Sequence, residues 1–137
     1  MEASPGPHSA TRANRRILVA DDNRDTADSL AMILRSWGYE PLVAYDGLTA
    51  LRIGQKEQPA AAVLDLGLPG MDGYQLAQNL RRESGLETIP LIAVTGYTWK
   101  AAHIRSEEYG FDHHFVKPLD LEQLRQILTD SVAAPPG

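Results

Sequence analysis

Three short runs of uninterrupted apolar residues, Ile17 to Ala20, Ala60 to Leu64 and Leu91 to Val94, constrain this chain more than anything else in it. A strand that is apolar at every position, rather than at every second one, is buried on both faces. A sheet buried on both faces is parallel and lies between helices. Two weaker runs, Pro41 to Ala44 and His114 to Val116, add two more strands. Amphipathic stretches separate them. Asp25 to Trp37 sets Ala27, Leu30, Ala31, Leu34 and Trp37 on one helical face, with Gly38 just past the end. Leu48, Leu51 and Ile53 mark a second helix, and Asp72 can cap a third that turns Leu76 and Leu80 inward. Lys100 to Tyr109 reads as a polar helix with a thin apolar stripe. Asp120 opens a fifth helix, with Gln123 three residues on as in a capping box and Leu121, Leu124, Ile127 and Leu128 as its inner face. Strand and helix therefore alternate five times, and right-handed crossovers distribute the helices over both faces of the sheet.

The chain has 137 residues, enough for one such domain, with 43% hydrophobic and 23% charged residues. The folded unit is expected over residues 15–132, between a disordered arm of residues 1–14, rich in Pro, Gly, Ser and Ala, and a frayed tail of residues 133–137. The absence of cysteine excludes disulfides, thiol catalysis and cysteine-rich zinc sites. No apolar run approaches the ~18 residues of a membrane span, and the start of the chain lacks the apolar centre of a signal peptide. A cytoplasmic protein with no membrane insertion is the expectation. The net charge of -5 argues against a partner with a phosphate backbone, so nucleic acid is not expected either.

In open α/β sheets the functional residues gather at the carboxyl ends of the strands, beside the point where strand order reverses. Asp21 and Asp22 follow the first strand, Asp65 the third, Thr95 the fourth and Lys117 the fifth. Parallel strands bring all five to one rim. Crowded carboxylates resist full ionisation, and a hard divalent cation relieves them; oxygen ligands with retained waters suit magnesium. Such a cation bridges to a phosphoryl oxygen, and an aspartate serves as nucleophile toward phosphorus. Lys117 offers a point charge opposite the metal, and Thr95 a hydroxyl donor. Each residue alone has a plainer reading. The Asp pair suits a turn, Asn23 or Asp25 can cap the first helix, Asp65 before Gly67, Pro69 and Gly70 suits a turn, and Lys117 suits solvent. Their joint placement at successive strand ends is what points to a site. An aspartyl hydrolase needs a second acid two residues after its nucleophile, where Gly67 stands. A nucleotide or flavin module needs a glycine-rich loop after the first strand, where Asp21-Asp22-Asn23-Arg24-Asp25 stands.

The segments ILVADDNRDTADSL, VLDLGLPGMDGYQL, AVTGY and HHFVKPLD, in this order, resemble those of response-regulator receiver domains of two-component signalling. The resemblance runs from Ile17 to Leu128. It implies a flavodoxin-like, doubly wound parallel sheet of five strands in order 2-1-3-4-5 with five helices. It also implies that a sensor histidine kinase or a histidine phosphotransfer protein supplies a phosphoryl group from phosphohistidine to Asp65. Mg2+ would be held directly by Asp22, Asp65 and the backbone carbonyl of Gly67, and by Asp21 mostly through water. Thr95 and Lys117 would bind the phosphoryl group, and the Lys117–Pro118 bond is a candidate cis peptide. The face made by the fourth helix, fifth strand and fifth helix would then be remodelled. Such a chain is a switch, not an enzyme beyond its own phosphorylation and dephosphorylation, either stand-alone or the receiver of a hybrid kinase. The alternative is a degenerate receiver that works by protein contact without phosphorylation. Two positions depart from the pattern. The switch position, usually Tyr or Phe, is His114, and Gly67 has no side chain to shield the acceptor from water.

Overall fold

The computed structural model describes residues 15–96 and 109–132. The expected arm over residues 1–14, the tail over 133–137 and residues 100–108 of the expected fourth helix lie outside them. The described chain forms five strands, β1 (Arg16–Ala20), β2 (Glu40–Ala44), β3 (Ala61–Asp65), β4 (Leu91–Thr95) and β5 (His113–Val116). All pair in parallel, in the order β2-β1-β3-β4-β5. Four helices fall among the described residues: α1 (Arg24–Ser36), α2 (Gly47–Glu57), α3 (Gly73–Arg81) and α4 (Leu121–Ser131).

The continuous apolar strands divide between two cores because side chains alternate across a strand. Leu18, Ala20, Ala62, Leu64, Leu91 and Ala93 meet α2 and α3 through Ala50, Leu76, Ala77 and Leu80. Ile17, Val19, Ala61, Val63, Ile92 and Val94 meet α1 and α4 through Ala27, Leu30, Leu34, Leu124 and Leu128. This double burial is what the uninterrupted runs required.

Capping residues place the helices. Asn23 rather than Asp25 caps α1, its side chain accepting from the Thr26 N–H at 3.0 Å. Asp46 caps α2, and Asp72 caps α3 in a full reciprocal box with Gln75. Asp120 caps α4 by accepting from the Gln123 N–H. Two inner faces differ from the sequence reading. In α2 the buried positions are Gly47, Ala50 and Gly54, while Leu48 is 49% exposed. Small residues let this helix approach α3 closely, and that rotation turns Leu48 outward. In α4 Leu124 and Leu128 are buried, whereas Leu121 is 38% exposed and Ile127 only partly covered. Leu121 lies at the lip of a cleft rather than in the core.

Candidate functional site

The sheet register builds the site. Asp65 lies opposite Val94, and Thr95 opposite Val116. Asp65, Thr95 and Lys117 therefore follow one another along the carboxyl-end rim, with Asp21 and Asp22 just past β1. Backbone bonds fix the strand exits: Leu66 N–H to the Val94 carbonyl at 3.0 Å, Lys117 N–H to that of Thr95 at 2.7 Å and Asp21 N–H to that of Ala44 at 3.1 Å. Asp21, Asp65 and Thr95 are the buried polar residues among those described, and Asp22 is exposed.

Lys117 Nζ stands 3.1 Å from Asp65 Oδ2 and 3.4 Å from Asp21 Oδ2. The other Asp65 oxygen accepts from the Gly67 N–H at 2.9 Å, and Asp21 Oδ1 accepts from the Asn23 N–H at 2.9 Å. Burial pushes the Asp21 carboxyl above its ordinary value of 3.8. The Asn23 N–H opposes that rise, and the nearby Asp65 charge adds to it. Burial also works against charge on Lys117, but the hydrogen bond and charge of Asp65, with those of Asp21, outweigh it and hold the ammonium above 10.5. The Lys117–Pro118 peptide is cis.

One carboxylate oxygen each from Asp21, Asp22 and Asp65 lies within 4.8 Å of the others. Three acids faced by one ammonium carry surplus negative charge, and an all-oxygen donor set of this size fits Mg2+. Asp21 already bears a burial penalty on its charged form, which a bound cation would relieve. The backbone of Gly67 is adjacent, bonded to Asp65 through its N–H. His114 does not join this group. It pairs with Ala93, two residues in from the Thr95–Val116 pair at the rim, and is partly buried.

Residues 17–129 match the sequence profile of the response regulator receiver domain. The chain belongs to this family. The transcriptional regulatory protein TctD of Salmonella typhimurium is 36% identical over 109 residues, 80% of this chain and 48% of that protein. A 14.6 kDa protein of Leptolyngbya boryana is 35% identical over 127 residues, 92% of this chain and 97% of its own length. The chain thus spans about half the length of TctD, and nearly all of the cyanobacterial protein. Among solved structures, the Vibrio cholerae chemotaxis protein CheY4 superposes with a TM-score of 0.79 at 26% identity, covering 85% of this chain and 97% of that one. The receiver domain of the Pseudomonas aeruginosa sensor histidine kinase PA1611, with a magnesium ion coordinated in its active-site cleft, gives 0.78 at 26% identity over 85% and 96%. The fold is the flavodoxin-like one of these relatives.

The receiver domain has a further feature that its sequence concealed. A cleft of about 640 Å³ opens beside Asp65 and Lys117, walled by Leu30 and Ile33 of α1 and by Pro118, Leu119 and Leu121 ahead of and in α4. The sequence reading places Leu30 and Leu121 on core faces; Leu30 is buried there, and both also line this cleft. Beyond it, Arg24 lies 4.1 Å over the Tyr45 ring, and the Tyr45 hydroxyl donates to Asp28 at 2.7 Å, bracing the start of α1 against the end of β2. Among the described residues no helix is long and apolar enough to cross a membrane.

Proposed function

We propose that this receiver accepts a phosphoryl group on Asp65 from the phosphohistidine of a sensor histidine kinase or histidine phosphotransfer protein, with Mg2+ as cofactor. The observation that carries the reading is the 3.1 Å pairing of Asp65 with Lys117 inside the three-acid cluster. The Asp65 oxygen held by Lys117 would become the nucleophile, and the other stays oriented by the Gly67 N–H. Bound Mg2+ would neutralise charge on the phosphoryl oxygens, held by Asp22, Asp65 and the Gly67 carbonyl, with Asp21 acting mostly through water. Lys117 would then exchange its carboxylate partner for a phosphoryl oxygen, and the Thr95 hydroxyl would donate to another. Charge gained at Asp65 would bias a two-state element, the face that includes β5 and α4.

The apolar cleft beside Asp65 supports a protein donor, since an amphipathic helix could lie along α1 and bring its phosphohistidine over the rim. A cytoplasmic location and a folded unit of residues 15–132 go with this reading. Whether His114 takes the usual aromatic role can be followed by NMR of its ring with and without beryllofluoride. Incubation with Mg2+ and acetyl phosphate is expected to add one phosphoryl group, and Asp65→Asn to abolish it. Undiminished labelling of that variant would remove the assignment. No labelling of the parent would favour a receiver that acts by protein contact alone.

A further inference from the structure

The acceptor loop between β3 and α3, residues 66–72, is short and held at its neck. The Gly73 N–H donates to the Leu66 carbonyl at 3.1 Å, and a Cβ on Gly73 would stand 2.6 Å from the Asp65 carbonyl oxygen. At its far end, Asp72 and Gln75 lock the first turn of α3 through their capping box. The loop also contains Pro69, which fixes one φ angle.

From outside, this loop rests on the first residue of α2. A Cβ on Gly47 would overlap the Met71 carbonyl oxygen and lie 2.8 Å from Met71 Cβ and 2.9 Å from its carbonyl carbon. Backbone atoms cannot rotate aside as the end of a side chain can. Glycine is also the poorest helix former after proline, so its place in the first turn of α2 calls for a reason, and the close approach supplies one. Gly54 lies seven residues on, on the same face of α2, and offers an internal contrast. A Cβ there would meet Leu80 Cδ2 at 2.6 Å, the tip of a flexible side chain in the core.

We infer that Gly47 is a positioning residue for the cation site: its bare Cα lets α2 bear on the Met71 carbonyl and so sets the loop that holds Gly67 against Asp65. The inference rests on the reading of the acidic rim as a Mg2+ site. A Cβ at position 47 pushes Met71 outward. With the loop closed at Leu66–Gly73 and locked at Asp72, the displacement is taken up at residues 67–70. The Gly67 carbonyl moves while every acidic ligand stays in place.

The test is Mg2+ titration, by calorimetry and by NMR of the backbone amides, of the parent, Gly47→Ala and Gly54→Ala, well below their melting temperatures. Gly47→Ala is expected to bind Mg2+ about tenfold or more weakly, the size usual for loss of a group that orients a ligand. Gly54→Ala is expected to melt earlier with its Mg2+ affinity unchanged. Parental affinity in Gly47→Ala, or an equal loss in both variants, would overturn the inference. The parent supplies a second measurement should Gly47→Ala not fold. Mg2+ should shift the Gly47 and Met71 amides together with Gly67 and leave Gly54 in place, and an unmoved Gly47 amide counts against the inference. A parent that binds no Mg2+ at all would instead overturn the metal reading, and this inference with it.

Discussion

The two rims of the sheet are built on opposite electrostatic plans. At the amino-end rim the Arg81 and Arg16 guanidiniums are each paired with acids. The Arg81 guanidinium donates to the carbonyls of Ile89 at 2.6 Å, Glu87 at 3.1 Å, Leu86 at 3.4 Å and Gly110 at 2.7 Å, and to Asp112 at 3.0 Å. Asp112 in turn accepts from the Leu91 N–H at 2.9 Å. Arg16 pairs with Glu57 at 3.0 Å and with Glu40 at 3.7 Å. At the carboxyl-end rim three carboxylates gather. Among the described residues only two of them pair with an ammonium, that of Lys117, and burial already disfavours the charge on one of them. One rim spends its charges on holding α3, β4 and β5 together. The other keeps a surplus that a cation or a transferred group can answer. Folding alone would not select the second arrangement, so the contrast itself marks the site.

Arg81→Ala is the strongest way to break that contrast. It leaves Asp112 and several backbone carbonyls without their donor in a partly covered setting, which should cost roughly 2–4 kcal/mol. Urea unfolding should show the loss while Mg2+ affinity stays at the parental value. A loss below about 0.5 kcal/mol, the size of an ordinary surface substitution, would mean that the amino-end rim holds nothing of note.

Asp22→Ala should give the mirror image. The side chain is exposed, and its removal relieves repulsion among the acids, so stability in the absence of metal should hold or rise slightly. Mg2+ affinity should fall about tenfold or more, equivalent to roughly 1.4 kcal/mol. Isothermal titration beside a melt without metal separates the two effects, and an unchanged affinity would take Asp22 out of the ligand set.

Lys117→Ala sharpens the comparison further, because it removes the only ammonium within reach of Asp21 and Asp65 in the described structure. Without metal the variant should be less stable than the parent, since two largely buried carboxylates lose their counter-charge. Mg2+ should restore much of that loss, as a ligand does when it binds only the folded state. Affinity for Mg2+ should be equal or tighter, because Lys117 repels the ion. A weaker affinity would place Lys117 in a role other than counter-charge.

How far the sequence alone led follows from which interactions leave a side-chain signature. The strands were legible because burial on both faces demands continuous apolar runs. The rim residues were legible because parallel pairing sends every strand end to one side. The Arg81 network was not, since most of its acceptors are backbone carbonyls that any residue would provide. Leu48 and Leu121 were misplaced because counting apolar residues favours the large ones, whereas α2 packs through Gly47, Ala50 and Gly54. Gly47 escaped notice because the second helix was marked only by Leu48, Leu51 and Ile53, and no spacing rule could name Met71 as the neighbour of a glycine.

The smallest effect tests whether acids beside the site differ in kind from acids within it. Asp46 caps α2 one residue before Gly47. The Thr49 N–H at 2.7 Å and the Thr49 hydroxyl at 3.0 Å hold its carboxyl below the ordinary value of 3.8. The folded state therefore prefers the ionised form. The contribution is complete above pH 3.8 and is lost as pH falls below it, through the folded value. Asp21 has the opposite sign, because its folded value lies above 3.8. Protonated Asp21 favours the fold, and that benefit is lost as pH rises from 3.8 through the folded value. The two windows lie on either side of 3.8 and can be separated. The stability gap between the parent and Asp46→Ala should be constant above pH 3.8 and narrow below it, measured by urea unfolding across acidic pH without metal. The gap between the parent and Asp21→Asn should change only above it, with the parent losing ground as Asp21 ionises. If both gaps moved in the same direction, the capping acid and the site acid would be serving the fold alike, and the surplus charge at the carboxyl-end rim would no longer set that rim apart.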